Sequence, residues 1–312
     1  MVLDIFRYPF HYSFIVKCFS LLQLAFIFFY SPAVTAYDIA VVQSMRIAPY
    51  DEAFKGFQSV CNHKVERLVI SDLAGPELLK KIDKIRPDLV LAIGMDALLQ
   101  VRSIDDIPVV YIMVLNPLSI LSGQKNIRGV SMNIPQEKQL LTFAMVLPDI
   151  KRIGLLYDPE KTGNHVKKAL DAAGKTGITI IAKETRRLKD VPPFIVGMKR
   201  KIDAFWMLPD MTVISPETIE FMLLFSFENR IPILTFSKKY VELGALISID
   251  IDTFDIGRQA GEMVEKILAG RGASNIQNVN ARKTDITINL KIARKLGIQV
   301  NGKTLKGFRI ID

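Results

Sequence analysis

Gly244-Ala-Leu-Ile-Ser-Ile-Asp-Ile-Asp-Thr-Phe-Asp-Ile-Gly-Arg-Gln-Ala-Gly-Glu-Met263 holds a strand, an acidic turn and a helix in one run. Residues 245–249 read as a buried strand. Asp250, Asp252 and Asp255 then lead into an amphipathic helix, which Asp252 or Thr253 can cap by accepting from its free N–H groups. Gly257 and Gly261 lie one turn apart, so this helix face can approach another element closely. A strand that feeds an acidic turn at a helix N-terminus puts polar groups at the carboxyl edge of a sheet, where open α/β sheets bind ligands. Taken alone, the stretch reads more simply as a capped core helix after a core strand.

Upstream of it, one βαβαβαβ plan appears twice. Strands are expected at 37–43, 65–70, 88–94 and 107–114. Helices are expected from Asp51 to about Asn62, from Gly75-Pro76 to Ile85, and in a short piece capped by Asp96. A strand at 127–131 and a helix at 136–147 follow. Lys151-Arg-Ile-Gly-Leu-Leu-Tyr-Asp158 then restarts the pattern. Strands at 178–182, 202–208 and 231–236 alternate with helices at 164–174, 191–201 and 217–229. Ile231-Pro-Ile-Leu parallels Ile107-Pro-Val-Val. Such alternation implies parallel sheets covered by helices on both faces. Residues 270–280, rich in Gly, Asn and Ser, read as a surface loop. A final strand near 284–288 and a helix at 290–296 close the chain.

The chain has 312 residues, of which 49% are hydrophobic and 23% charged. That suits one or two globular domains. The formal charge is +9 without a dense Lys/Arg block, so no nucleic-acid tail is expected. Arg7 and Lys17 precede an uncharged run, 18–30, that is shorter than the ~20 residues a helix needs to span a bilayer. Val34 and Ala36 sit as the small residues before a signal-peptidase cut, so 1–36 is expected to be an export signal, with a retained anchor as the alternative. The charged Lys17 beside Cys18 does not fit a lipoprotein signal, and no lipid anchor is expected. Cys61 is then the remaining cysteine, so no internal disulfide is expected. His63 and His165 lack metal-ligand spacing, and neither a metal nor a cofactor is expected.

Several stretches together resemble the ABC-transporter substrate-binding family that includes tryptophan-binding proteins of the TrpX kind, with a type I periplasmic binding protein fold. They are Ile107-Pro-Val-Val, Asn116-Pro117, Arg128-Gly-Val-Ser131, Glu137-Lys-Gln139, Ile153-Gly-Leu-Leu-Tyr-Asp-Pro159 and Asn289-Leu-Lys-Ile-Ala-Arg-Lys-Leu-Gly297. The opening stretch resembles that fold's third interlobe crossing. The resemblance implies two similar doubly wound α/β lobes, a ligand cleft between them and three interlobe crossings. Lobe one would hold 37–148 plus about 252–280, and lobe two 149–251 plus about 281–312. It further implies a monomeric periplasmic protein that closes on a small molecule and delivers it to an ABC permease in the inner membrane.

Strand ends facing the cleft supply the candidate ligand-binding residues. They are Gln43, Arg46, Met95, Asp96 and Asn116 on lobe one, and Tyr157, Asp158, Asp210, Thr212, Ser237 and Asp250 on lobe two. Helix N-termini can take an anion and acids can take an ammonium, an arrangement suited to an amino acid. Asp210 and Thr212 match a polar turn of the family. Met95-Asp96 and Leu115-Asn116-Pro117 depart from positions where relatives often carry hydroxyls and an acid. Met and Leu cannot donate to ligand oxygens, so the ligand is expected to be amino-acid-like or larger and more apolar. No catalytic residue is expected, because G-x-G-x-x-G, P-loop and G-x-S-x-G motifs are absent from the sequence. Two other readings stay open: a ligand-binding sensor for a membrane receptor, and a two-lobed α/β enzyme using the same cleft. A DNA-binding repressor of this fold would carry a DNA-binding module where the export signal stands.

Overall fold

The strand β3 (Leu89–Ile93) is buried at every residue, as expected for a parallel strand covered on both faces. It lies within a sheet of β1 (Asp38–Gln43), β2 (Lys64–Val69), β4 (Val109–Ile112), β5 (Ile127–Ser131) and β11 (Val279–Asn280). Its order is β11-β5-β4-β3-β1-β2, and all pairings are parallel. Side chains alternate across the pleat: Ile39 and Val41 enter one apolar cluster, Ala40 and Val42 another. The computed structural model describes residues 37–312 apart from 74–76, 118–119 and 122. The expected export signal and the Gly75-Pro76 helix opening lie outside the described residues.

A second sheet repeats the plan with β6 (Arg152–Tyr157), β7 (Thr179–Glu184), β8 (Ala204–Trp206), β9 (Ile233–Thr235) and β10 (Ile247–Ile251). It adds β12 (Thr284–Asn289) and β13 (Arg309–Ile311), in the order β13-β12-β10-β9-β8-β6-β7. Thus β2-β1-β3-β4-β5 and β7-β6-β8-β9-β10 share one doubly wound order. β12 runs antiparallel to β10. The reason is topological: β10 leaves the sheet toward the other lobe, so the returning chain enters from that end and runs the opposite way.

The helices are α1 (Ala48–Gln58), α2 (Glu77–Ile85), α3 (Met95–Val101), α4 (Gln136–Val146), α5 (Gly163–Ala173), α6 (Val191–Met198), α7 (Pro216–Asn229), α8 (Lys238–Leu243), α9 (Thr253–Lys266) and α10 (Leu290–Leu296). Asp252 caps α9, its carboxylate accepting from the Asp255 N–H at 2.8 Å. α3 starts two residues earlier than a cap at Asp96 requires, because Gly94 holds the cap position at φ 97°. Only Gly fits there, since a Cβ would lie 2.6 Å from Ser44 Oγ. The short α8 and strands β11 and β13 went unread in the sequence; each spans too few residues to show a period.

Two expectations about the crossings need correction. α4 packs on α5, and Phe143 of α4 meets Trp206 of β8 edge to face, with centroids 5.6 Å apart. The Asn301 N–H also donates to the Val146 carbonyl. α4 therefore belongs with the second sheet, and the first crossing falls at 132–135 instead of near 148. Asp252 carries the chain back to the first sheet, where α9 packs on α1. Residues 281–283 then return it to β12. The acidic turn after β10 is the second of three crossings, not the third, because β11 and its loop still follow it in the first lobe.

Candidate functional site

Most of the polar groups expected at the two sheet edges are engaged by the chain itself. Gln43 is fully buried at the end of β1. Its amide donates to the Met45 carbonyl at 2.7 Å and to Asp51 at 3.2 Å, and accepts from Arg67. Arg67 also pairs with Asp51 and lies 4.6 Å over the Phe54 ring. Arg46 is exposed and holds one oxygen of Asp72 through Nε at 2.9 Å and Nη2 at 2.7 Å. Met95 packs against the outer cluster of lobe one, and Asp96 is exposed.

On lobe two, Asp210 is buried and accepts on both oxygens. The Asp158 N–H donates at 2.8 Å, the Thr162 hydroxyl donates to the same oxygen, and the Thr212 N–H donates at 2.9 Å to the other. The Thr212 hydroxyl donates to Asp158 at 2.8 Å, and the Glu160 N–H at 2.9 Å. These bonds hold the Asp158 carboxyl below the usual carboxylate range, Thr212 contributing most. Tyr157 donates to Glu184 at 3.1 Å, and burial more than that neighbour pushes its phenol up. Ser237 precedes α8 without capping it through its side chain.

Two of the expected residues, Asn116 and Asp250, line a cavity of about 170 Å3 between the lobes. Asn116 follows β4 with φ 49°, a left-handed conformation that Asn tolerates. Its amide reaches across to the Lys161 carbonyl of lobe two at 3.4 Å. Asp250 lies in β10, accepting from the Lys238 N–H at 2.7 Å and the Ser248 hydroxyl at 3.0 Å. Burial pushes its carboxyl up to about 6, with Asp285 opposite it adding to the rise.

Leu115, read in the sequence as an apolar residue at the cleft, lines the cavity too, but most of the remaining lining was not chosen as ligand-binding from the sequence. Leu115, Met132, Ile134, Trp206, Leu208, Pro209, Phe236 and Ile249 make the walls largely apolar. Asn133, Gln136, Gln139, Thr162 and His165 add polar groups. His165 Nε2 lies 3.3 Å from Asn133 Oδ1, and burial, helped by Lys168, pushes its imidazole down, so it is neutral at pH 7. A usable signal existed for the start of α4: Met132-Asn-Ile-Pro-Gln136 joins a strand to a helix without Ser, Thr, Asp or Asn at the cap. Among the described residues no three His, Cys, Asp or Glu side chains group to hold a metal, and no helix is long and apolar enough to cross a membrane. An apolar cavity with a few converging polar groups suits a small organic ligand.

The family model described as "ABC transporter substrate binding protein" matches residues 72–308. A tyrosine-binding protein of Clostridioides difficile (strain R20291) is 26% identical over 223 residues, which cover 69% of this chain and 64% of that protein. The chain thus spans less than two thirds of this relative's length. The ligand-free, open structure of CD0873, a substrate binding protein with adhesive properties from Clostridium difficile, superposes with a TM-score of 0.73 at 22% identity. That match covers 89% of this chain and 99% of the other. An ABC domain in complex with L-Trp from Streptococcus pneumonia superposes with a TM-score of 0.65 at 23% identity, covering 89% and 100%.

Proposed function

Because the chain belongs to the ABC transporter substrate-binding protein family, a family that binds without catalysing a reaction, we propose that it is the exported solute-binding component of an importer. It takes a small molecule between its lobes, closes on it and presents it to a permease in the inner membrane. The observation that carries this reading is the cavity between the carboxyl ends of β4 and β5 on one lobe and β8, β9 and β10 on the other. Ligands of doubly wound sheets bind at those strand ends. The first crossing, through Met132, Asn133 and Ile134, and the end of β10 that leads into the second line the cavity, so lobe rotation changes its size. Periplasmic location is supported by the basic, apolar and small-residue order of 1–36.

The apolar walls and Asp250, the one acid lining the cavity among the described residues, support a ligand with an aromatic or other apolar body and a cationic nitrogen held by Asp250. Relatives named for tyrosine binding and complexed with L-Trp fit that class. Closure is driven by the ligand's higher affinity for the closed form. The test is small-angle scattering with thermal denaturation across a metabolite panel that includes L-tyrosine and L-tryptophan. At least one compound is expected to compact the protein and raise its melting temperature. Compaction by none, with no small molecule retained in native mass spectrometry, removes the solute-binding reading.

A further inference from the structure

The first turn of α4 borders the cavity with open donors. α4 follows Pro135, which has no side-chain acceptor, and no side chain caps the helix. Its hydrogen bonding begins with the Gln139 N–H, which donates to the Pro135 carbonyl at 3.1 Å. Helix geometry leaves the N–H groups of Gln136, Glu137 and Lys138 without intrahelical partners. The helix macrodipole adds roughly half a positive charge at this end.

The Gln136 side chain is a second, independent observation. It is only 8% exposed, it lines the cavity, and its amide makes no hydrogen bond to any described residue. The amide atoms themselves stay reachable from the cavity and are not sealed in apolar surroundings, so they can hydrogen-bond what enters there. Its neighbours are engaged: Gln139 Nε2 donates to the Ile134 carbonyl at 3.0 Å, and Asn133 meets His165. Among the described residues no Lys or Arg lines the cavity. An anionic group entering here therefore meets neutral donors at the start of α4, while Asp250 supplies the one acid.

Resting on the solute-binding reading above, we propose that Gln136 and the open N–H groups of α4 hold the carboxylate of an amino-acid ligand whose ammonium faces Asp250. Gln136 then determines selection of the amino acid over the corresponding amine. A carboxylate fits these donors better than a hydroxyl, because its two oxygens accept several hydrogen bonds and its charge matches the dipole. Both charged ends of the ligand rest on elements of the second lobe, and Asn116 meets it from the first.

The test is calorimetry at pH 7 of wild type, Gln136→Ala and Gln136→Glu with L-tryptophan, L-tyrosine, tryptamine and tyramine. Ala is a strong helix former and Gln136 does not cap α4, so Gln136→Ala is expected to fold, and circular dichroism checks both variants. Wild type is expected to prefer an amino acid over its amine. Gln136→Ala should weaken the amino acid by roughly tenfold or more, from lost bonds to a charged group, and Gln136→Glu further. Gln136→Ala should change amine affinity by less than about twofold, whereas Gln136→Glu, which adds an anion to the cavity, should leave it unchanged or strengthen it. Equal weakening of acid and amine, or no weakening, overturns the proposal and leaves Gln136 a packing residue. Absence of amino-acid binding by wild type overturns it too. The broader reading survives that outcome if another metabolite compacts the protein in scattering, and falls with it only if none does.

Discussion

Asp250 and Asp210 show how little residue type alone decides. Both are acids at the carboxyl ends of core strands of the second lobe, Asp210 just after β8 and Asp250 within β10, but Asp210 accepts three bonds from its own chain while Asp250 lines the cavity. The Asp250 carboxyl is raised by burial, with Asp285 adding and Arg309 opposing, against the Ser248 and Lys238 hydrogen bonds. A raised folded-state carboxyl binds its proton where the unfolded chain has lost it. Its contribution to stability therefore falls as pH rises from about 4 to about 6, then levels. Asp250→Asn keeps an acceptor for Ser248 and Lys238 and removes that loss. Urea unfolding at pH 4 and 7.5 should show the variant gaining on wild type by on the order of 2 kcal/mol across the interval. A cationic ligand needs the ionised form, so its affinity for wild type should rise with pH over the same range, as calorimetry would show.

At the scale of elements, glycines set how α9 returns to the first lobe. A Cβ on Gly257 would lie 1.9 Å from the Ala53 carbonyl oxygen, and one on Gly56 of α1 1.9 Å from the Phe254 oxygen. Backbone meets backbone from both sides, so neither helix can yield by rotating a side chain. Gly257→Ala should destabilise by about 3 kcal/mol through forced separation of α1 and α9. Gly197 in α6 has open space around its Cβ position, and Gly197→Ala should gain about 0.5–1 kcal/mol. Denaturant midpoints of the two variants decide between close packing and general glycine flexibility. The spacing of Gly257 and Gly261 announced a close approach in the sequence. The partner helix and its reciprocal Gly56 were not legible, because they lie about two hundred residues away in the chain.

For the whole molecule, two of the three crossings are tied together by Arg282. Its guanidinium holds Asp255 at 2.8 and 2.9 Å and Glu262 at 2.8 and 2.9 Å, joining the third crossing to the helix that follows the second. Asp255 is 3% exposed, and Arg282 more than any other group holds its carboxyl below the usual range. That depressed carboxyl contributes stability at neutral pH, and the contribution is lost on acidification through its folded-state value. Arg282→Ala leaves the buried acid with Lys283 at 3.7 Å. Because Arg282 is itself 41% exposed, the cost is about 1–3 kcal/mol at pH 7, read from chemical unfolding, and should shrink toward pH 3.

The sequence by itself determined the doubly wound plan and its duplication. Strand and helix periods are local, and Leu89–Ile93 or Ile127–Ser131 carry them without reference to the rest of the chain. It also narrowed the cap of α9 to Asp252 or Thr253, since a cap acts within one helical turn, and the structure places it at Asp252. Tertiary structure alone decided that α4 sits with the second sheet and that β12 runs antiparallel. It likewise decided that Asp158, Asp210 and Thr212 bond one another while Gln136 is left open to the cavity. Those outcomes depend on which groups meet across tens or hundreds of residues. A polar side chain at a strand end reads the same in sequence whether its partner is another part of the chain or a ligand.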